Sequence, residues 1–143
     1  MNIIENEFYN PTKFDRKMIY FAKIIALRSG VKGKHGSIIV NSNEKIESIG
    51  VNYHNPKGHL GPRSSVHAES AALNNINNKE LFTYKLYVAR STRSCIGHTF
   101  SKPCERCMEE ILNRKIGKII YSNGGLNDWC SPKMVEINIV YNC

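Results

Sequence analysis

The stretch Cys104–Asn123, CERCMEEILNRKIGKIIYSN, decides the fold. Cys104 opens a helix that runs on through Met108, Ile111 and Leu112, and a strand centred on Ile119, Ile120 and Tyr121 follows at once. Upstream, Lys85–Arg90 (KLYVAR) is another β-rich run, so strand, helix and strand succeed one another. Such a unit is expected to set its two strands parallel through a helical crossover. Before it, Val66, Ala71, Ala72, Leu73 and Ile76 recur at helical spacing within residues 66–78. Residues 36–41 and 45–54 are two β-rich runs joined by Ser42-Asn43-Glu44, a hairpin whose second strand is expected to pass by a helical crossover to the strand at Lys85. Thr12, with Asp15 three residues on, marks the start of a first helix over residues 12–29, carried by Phe14, Met18, Phe21, Ala22 and Ile25 and closed by Gly30 and Gly33. At the far end Met134–Tyr141 is a last apolar strand. The span 123–132 has no helical pattern and is shorter than the dozen or so residues of a crossover, so this strand is expected to be antiparallel. The architecture these runs predict is α/β, a three-layer α/β/α sandwich on a mixed five-stranded sheet, built as one domain over residues 1–143.

A chain of 143 residues, 41% hydrophobic and 22% charged, has the balance of a single globular domain and buries enough surface to fold without staples. No window approaches the roughly 18 uninterrupted apolar residues of a membrane span. The N-terminus carries two early acids and no basic segment before an apolar run, so no secretory signal is read and a cytoplasmic, reducing compartment is expected. Twenty Lys and Arg against twelve Asp and Glu give a net charge of +8. That balance suits an anionic partner such as a nucleotide or nucleic acid, and equally suits a merely solvated surface, since the cations are scattered.

Five cysteines in such a chain point to metal ligands, reactive thiols or small buried groups before they point to disulfides. Only Cys104 and Cys107 have ligand spacing, three residues apart at a helix start. His67 and Glu69 stand two apart at the start of the preceding helix. Helix N-termini present unpaired N–H groups and a partial positive charge, which favours thiolates. One imidazole and two thiolates are three tetrahedral ligands for zinc, leaving a fourth position for water as in a catalytic site. Glu69, beside the histidine and not needed as a ligand, is free to carry a proton.

The pairing of His67-Ala68-Glu69 with Pro103-Cys104-Glu105-Arg106-Cys107 resembles the H-x-E and P-C-x-x-C signature of zinc-dependent nucleobase deaminases, the cytidine and deoxycytidylate deaminase superfamily. That superfamily also holds tRNA adenosine deaminases and guanine deaminases. The resemblance runs over roughly residues 12–122, with hairpin, helices and strands in the family's order. It implies a cytidine deaminase-like fold and a Zn2+ cofactor held by His67, Cys104 and Cys107. It implies Glu69 as proton shuttle and the N–H groups of Ala68 and Cys104 near the zinc-bound oxygen. Gly50-Val51-Asn52 matches the family's G-x-N, which implies Asn52 on the sugar, with Ala68 and Pro103 also on the substrate side. The implied reaction is hydrolytic deamination of an amino-nucleobase by zinc-bound hydroxide, with no organic cofactor. A free pyrimidine nucleotide or nucleoside ranks first as substrate, adenosine in RNA second and guanine third. A histidine as first ligand looks more like the deoxycytidylate and tRNA-editing branches, and a homo-oligomer, dimer or larger, is the family's habit. One departure is the segment from Ser91 to Lys102, which carries Cys95 and His98 where the family runs a short connection.

Other readings are sharper than mere packing. Cys95, His98, Cys104 and Cys107 have spacings that a closed zinc knuckle could use, which with the positive charge would make a non-catalytic nucleic-acid module. That reading leaves His67 and Glu69 unexplained and sets Cys104 on a helix facing the core. Cys104 and Cys107 as a redox pair is a third reading, against which the position of His67 argues. His54 and Phe100 are further candidates at the mouth of the site, as polar or base-stacking side chains.

Overall fold

The computed structural model describes residues 1–55, 65–77, 80–91, 101–123 and 133–142. Five strands form as the hydrophobic pattern predicts: β2 (Lys34–Val40), β3 (Ile46–Val51), β6 (Lys85–Ser91), β7 (Lys118–Asn123) and β8 (Lys133–Val140), with β1 (Asn2–Asn6) preceding them. The helices are α1 (Lys13–Ala26), α2 (Ala68–Asn74) and α3 (Glu105–Asn113). The sheet order is β1-β8-β7-β6-β2-β3. A separate two-residue ladder pairs β4 (Tyr53–His54) with β5 (Ser65–Val66).

Alternation along the strands builds two cores on opposite faces. Ile38, Val40, Tyr87, Ala89 and Ile120 join Met18, Ile19, Ala22 and Ile25 of α1 on one side. Ile39, Leu86, Val88, Ile119 and Tyr121 join Ala72, Leu73 and Ile111 of α2 and α3 on the other. The three-layer sandwich is therefore present, with α1 alone on one face and the two motif-bearing helices together on the other. The parallel pair is β6 with β7, bridged by α3, and β8 runs antiparallel to β7, both as predicted.

Three expectations are corrected. The sheet has six strands, not five, because β1 pairs antiparallel with β8 along Asn2–Asn6. Every residue of β1 is exposed, so no alternation marks it in the sequence; the open edge of β8 makes it a strand. The second hairpin strand, β3, does not lie beside β6: β2 intervenes, antiparallel to both, so β3 and β6 run the same way without touching. Helix α2 spans exactly the step across β2, which periodicity cannot reveal. Finally, the run 45–54 breaks at Asn52, and α1 and α2 are shorter than predicted, ending at Ala26 and Asn74.

The two motif helices are fastened to each other at two points. Ser70, in the first turn of α2, donates to Glu110 in the second half of α3 at 2.7 Å. Arg114, the C-cap of α3, donates to the Leu73 carbonyl at 2.8 Å and to that of Ile76, placing a cation on the last carbonyls of α2 where the helix dipole favours it. Lys115 follows at φ 59°, and the N–H groups of Lys115 and Ile116 return to Leu112 and Ile111, a Schellman close that ends α3 sharply before β7.

Candidate active site

His67 is the N-cap of α2 and Cys104 the N-cap of α3, both with extended backbone and neither using its side chain to cap. Cys104 is exposed at the helix mouth rather than facing the core, which corrects the orientation expected of it from the sequence; Cys107, one turn on, is buried. Because the helix starts lie side by side, His67 Nδ1 comes to 3.2 Å from Cys107 Sγ and 3.5 Å from Cys104 Sγ. The three donor atoms all lie within 4.8 Å of one another and could hold a metal ion. Ligand atoms about 3.5–3.8 Å apart surround a tetrahedral zinc at ordinary Zn–N and Zn–S lengths, so this imidazole-dithiol set fits zinc with small shifts. Burial pushes the Cys107 thiol well above its usual range, with the Glu69 carboxylate adding to it. A dication is what makes such a thiol give up its proton.

Glu69 stands in the first turn of α2, buried, and lines a cleft of about 310 Å³ shared with His67, Cys104 and Asn52. Desolvation raises its carboxyl above the ordinary range, opposed by its own backbone amide and the His67 ring. Helix α2 is held where these groups meet by close backbone contact with the sheet. At Gly50 a Cβ would stand 2.2 Å from the Ala68 carbonyl, so only glycine lets β3 approach. Ser37 and Ser48 reach from the sheet to the carbonyls of Ala68 and Ala72, each at 2.7 Å.

Of the residues read from the sequence, His67, Ala68, Glu69, Cys104 and Asn52 gather on this cleft, with Cys107 behind it. Pro103 is buried beside Cys104 and is not among the described lining residues; His54 is exposed on β4, paired with the lining residue Ser65, and is not among them either. Cys95, His98 and Phe100 lie outside the described residues, as do Trp129, Cys130 and Cys143. The sequence reading missed His35, Ser101 and Lys102, which also line the cleft. Ser101 is buried and bonds to Val88 and Ser122, tying the segment before Cys104 to the middle of β6 and the end of β7. Lys102 pairs at 3.1 Å with Glu5 of the unforeseen β1, whose carboxylate also accepts from Tyr121. A lone lysine beside P-C-x-x-C and a histidine in a Gly-rich strand start gave no periodic signal. Among the described residues no helix is long and apolar enough to cross a membrane.

A three-layer α/β/α sandwich with a His-Cys-Cys cluster and a buried glutamate at adjacent helix starts defines a zinc-dependent hydrolytic deaminase. The chain belongs to the family described as the cytidine and deoxycytidylate deaminase zinc-binding region, whose profile matches residues 12–123. Among solved structures it is similar to a dCMP deaminase from the cyanophage S-TIM5 in apo form, at 22% identity over 80% of this chain and 86% of that one, TM-score 0.59. The same deaminase in complex with dCMP and dUMP gives 20% identity over 79% and 83%, TM-score 0.56. A cytidine deaminase from Burkholderia pseudomallei gives 18% identity over 75% and 81%, TM-score 0.54. A search of curated protein sequences finds no match.

Proposed function

We propose that this deaminase acts on a free pyrimidine nucleotide or nucleoside of the cytidine or deoxycytidylate type. His67, Cys104 and Cys107 hold the metal, Glu69 moves the proton, and Asn52, Ala68 and Pro103 stand on the substrate side. The observation that carries the reading is the position of Glu69, buried in the cleft wall two residues from one metal donor and unneeded as a ligand. Zinc held by the three donors supplies Lewis acidity, which makes water a nucleophile near neutral pH. The chain's own part is proton handling. Glu69 accepts the proton that water gives up, delivers it to the ring nitrogen next to the carbon under attack, and then serves the amine as the C–N bond breaks and ammonia leaves. The cleft volume of about 310 Å³ lies at the small end of ligand sites, as a single nucleoside or nucleotide requires. The similar cyanophage enzyme binds dCMP and dUMP, which supports a nucleotide-sized substrate here.

The test is ammonia release by zinc-loaded protein from cytidine, deoxycytidylate, adenosine, guanine and a tRNA anticodon stem, with Glu69→Ala as blank. Turnover of a cytosine compound that falls by about 100-fold or more in the variant, with zinc retained, is the expected result. Turnover confined to adenosine, guanine or the RNA stem moves the substrate to that branch, and silence across the panel with zinc unaffected by His67→Ala overturns the catalytic reading.

A further inference from the structure

We infer that His35 is a specificity residue of this site, its Nε2 accepting a hydrogen bond from the sugar 3′-hydroxyl, the one hydroxyl of the ring that cytidine-type and deoxycytidylate-type substrates share; the inference rests on the nucleoside or nucleotide reading above and adds to it a residue outside both motifs. The Gly33 carbonyl can only accept a hydrogen bond. His35 Nδ1 lies 3.2 Å from it, so Nδ1 carries the proton and donates. The neutral ring then presents Nε2 as a lone pair. Among the described residues nothing bonds to Nε2, although His35 is only partly exposed and lines the cleft.

Neighbouring bonds fix that tautomer. The Asn52 Nδ2 amide also donates to the Gly33 carbonyl, and Asn52 Oδ1 accepts the His35 backbone N–H at 2.9 Å. The Asn52 and His35 backbones are joined as well, N–H of Asn52 to O of His35 at 3.3 Å. Histidine and asparagine are thus locked together around one carbonyl. Of the asparagine amide, one N–H remains; of the histidine ring, one lone pair. A donor beside an acceptor is the complement of a hydroxyl, which offers both, and not of a phosphate or carboxylate, which only accepts. Burial, with the Arg90 charge nearby, outweighs the Gly33 bond and holds the ring below the ordinary histidine range, which favours the neutral, acceptor form. Sites built to bond a substrate hydroxyl reject the analogue that lacks it, because their polar groups are left unpaired.

The experiment measures kcat/KM for 2′-deoxycytidine and 2′,3′-dideoxycytidine, and for their 5′-monophosphates, with wild type, His35→Phe and His35→Gln, recording zinc content and melting temperature of each. Wild type is expected to prefer the hydroxylated member by about 10-fold or more, the worth of one buried hydrogen bond. In His35→Phe that preference collapses towards unity through loss on the hydroxylated substrate alone, and His35→Gln, which keeps an acceptor, recovers part of it. Wild type indifferent to the hydroxyl overturns the inference. So does a His35→Phe enzyme that binds zinc and melts normally yet loses both substrates equally, since that is a structural role. Wild-type silence on all four compounds overturns the pyrimidine reading instead, and the hydroxylated and deoxygenated nucleosides of whichever base is turned over then decide His35 by the same ratio.

Discussion

Ser37 Oγ donates a 2.7 Å hydrogen bond to the main-chain carbonyl of Ala68, the residue between His67 and Glu69. A buried side chain in the middle of the sheet thus holds the backbone from which both functional groups project. Ser37→Ala deletes the bond and leaves the carbonyl with its intrahelical partner only. The expected cost is about 1 kcal/mol, a fall of about 2–4 °C in melting temperature for a chain of this size, with kcat reduced more than zinc affinity because Glu69 has no metal to anchor it. Calorimetry together with steady-state kinetics checks both halves.

Gly50 carries the same argument in steric form. An added Cβ would meet the Ala68 carbonyl at 2.2 Å, the Ala72 nitrogen at 2.5 Å and the Ala72 Cβ at 3.0 Å, all on the rigid first turns of α2. Helix or strand must move. Gly50→Ala is expected to destabilise by about 2–3 kcal/mol, and, by lifting α2, to separate His67 from the two thiols. Zinc content per folded chain, measured beside the melting curve, should fall with stability; unchanged zinc binding would show that the strain is relieved away from the site.

The chemistry of the site was legible because it is local: two short motifs, each at a helix start, need only the helices to be foreseen. Their meeting was not readable from either motif, since it depends on Ser70, Glu110 and Arg114 clasping α2 to α3. Topology was legible where a loop length forbids the alternative, as for β7 and β8. It was illegible where a strand has no pattern of its own, as in Asn2–Asn6, or where a crossover steps over a neighbour, as from β3 to β6. His35 shows a third limit. Its role follows from one proton on Nδ1, which a carbonyl two residues away dictates and no periodicity announces.

The His-Cys-Cys cluster and the knuckle spacing make opposite predictions for metal. His67, Cys104 and Cys107 bring their donors within 4.8 Å, so His67→Ala and Cys107→Ser should each weaken zinc by about 100-fold or more, the share of one donor in a site of this kind. Cys95→Ala and His98→Ala should leave about one zinc per chain. Competition with a chromophoric chelator gives all four affinities, and loss of zinc in the Cys95 or His98 variants would move the metal to the knuckle.

Acid should loosen the opposite face of the sheet through Asp15, a fully buried carboxylate. Burial raises its pKa, but the hydroxyls of Tyr9 and Tyr87 and the Thr12 amide outweigh that and hold it below the ordinary aspartate range. A group depressed in the folded state stabilises above its unfolded pKa of about 3.9, and that contribution is lost as pH falls through the lower folded value. Stability should therefore decline with acid below about pH 4, through the window set by this group and by Glu5, which Tyr121 and Lys102 also depress. Asp15→Asn keeps the shape but not the charge: it should cost about 2 kcal/mol at pH 7, by weakening charge-assisted bonds, and less at pH 3, where the parent has lost the same advantage. Urea unfolding midpoints at the two pH values test the sign, and a deficit that stays constant with pH would assign the loss to packing instead.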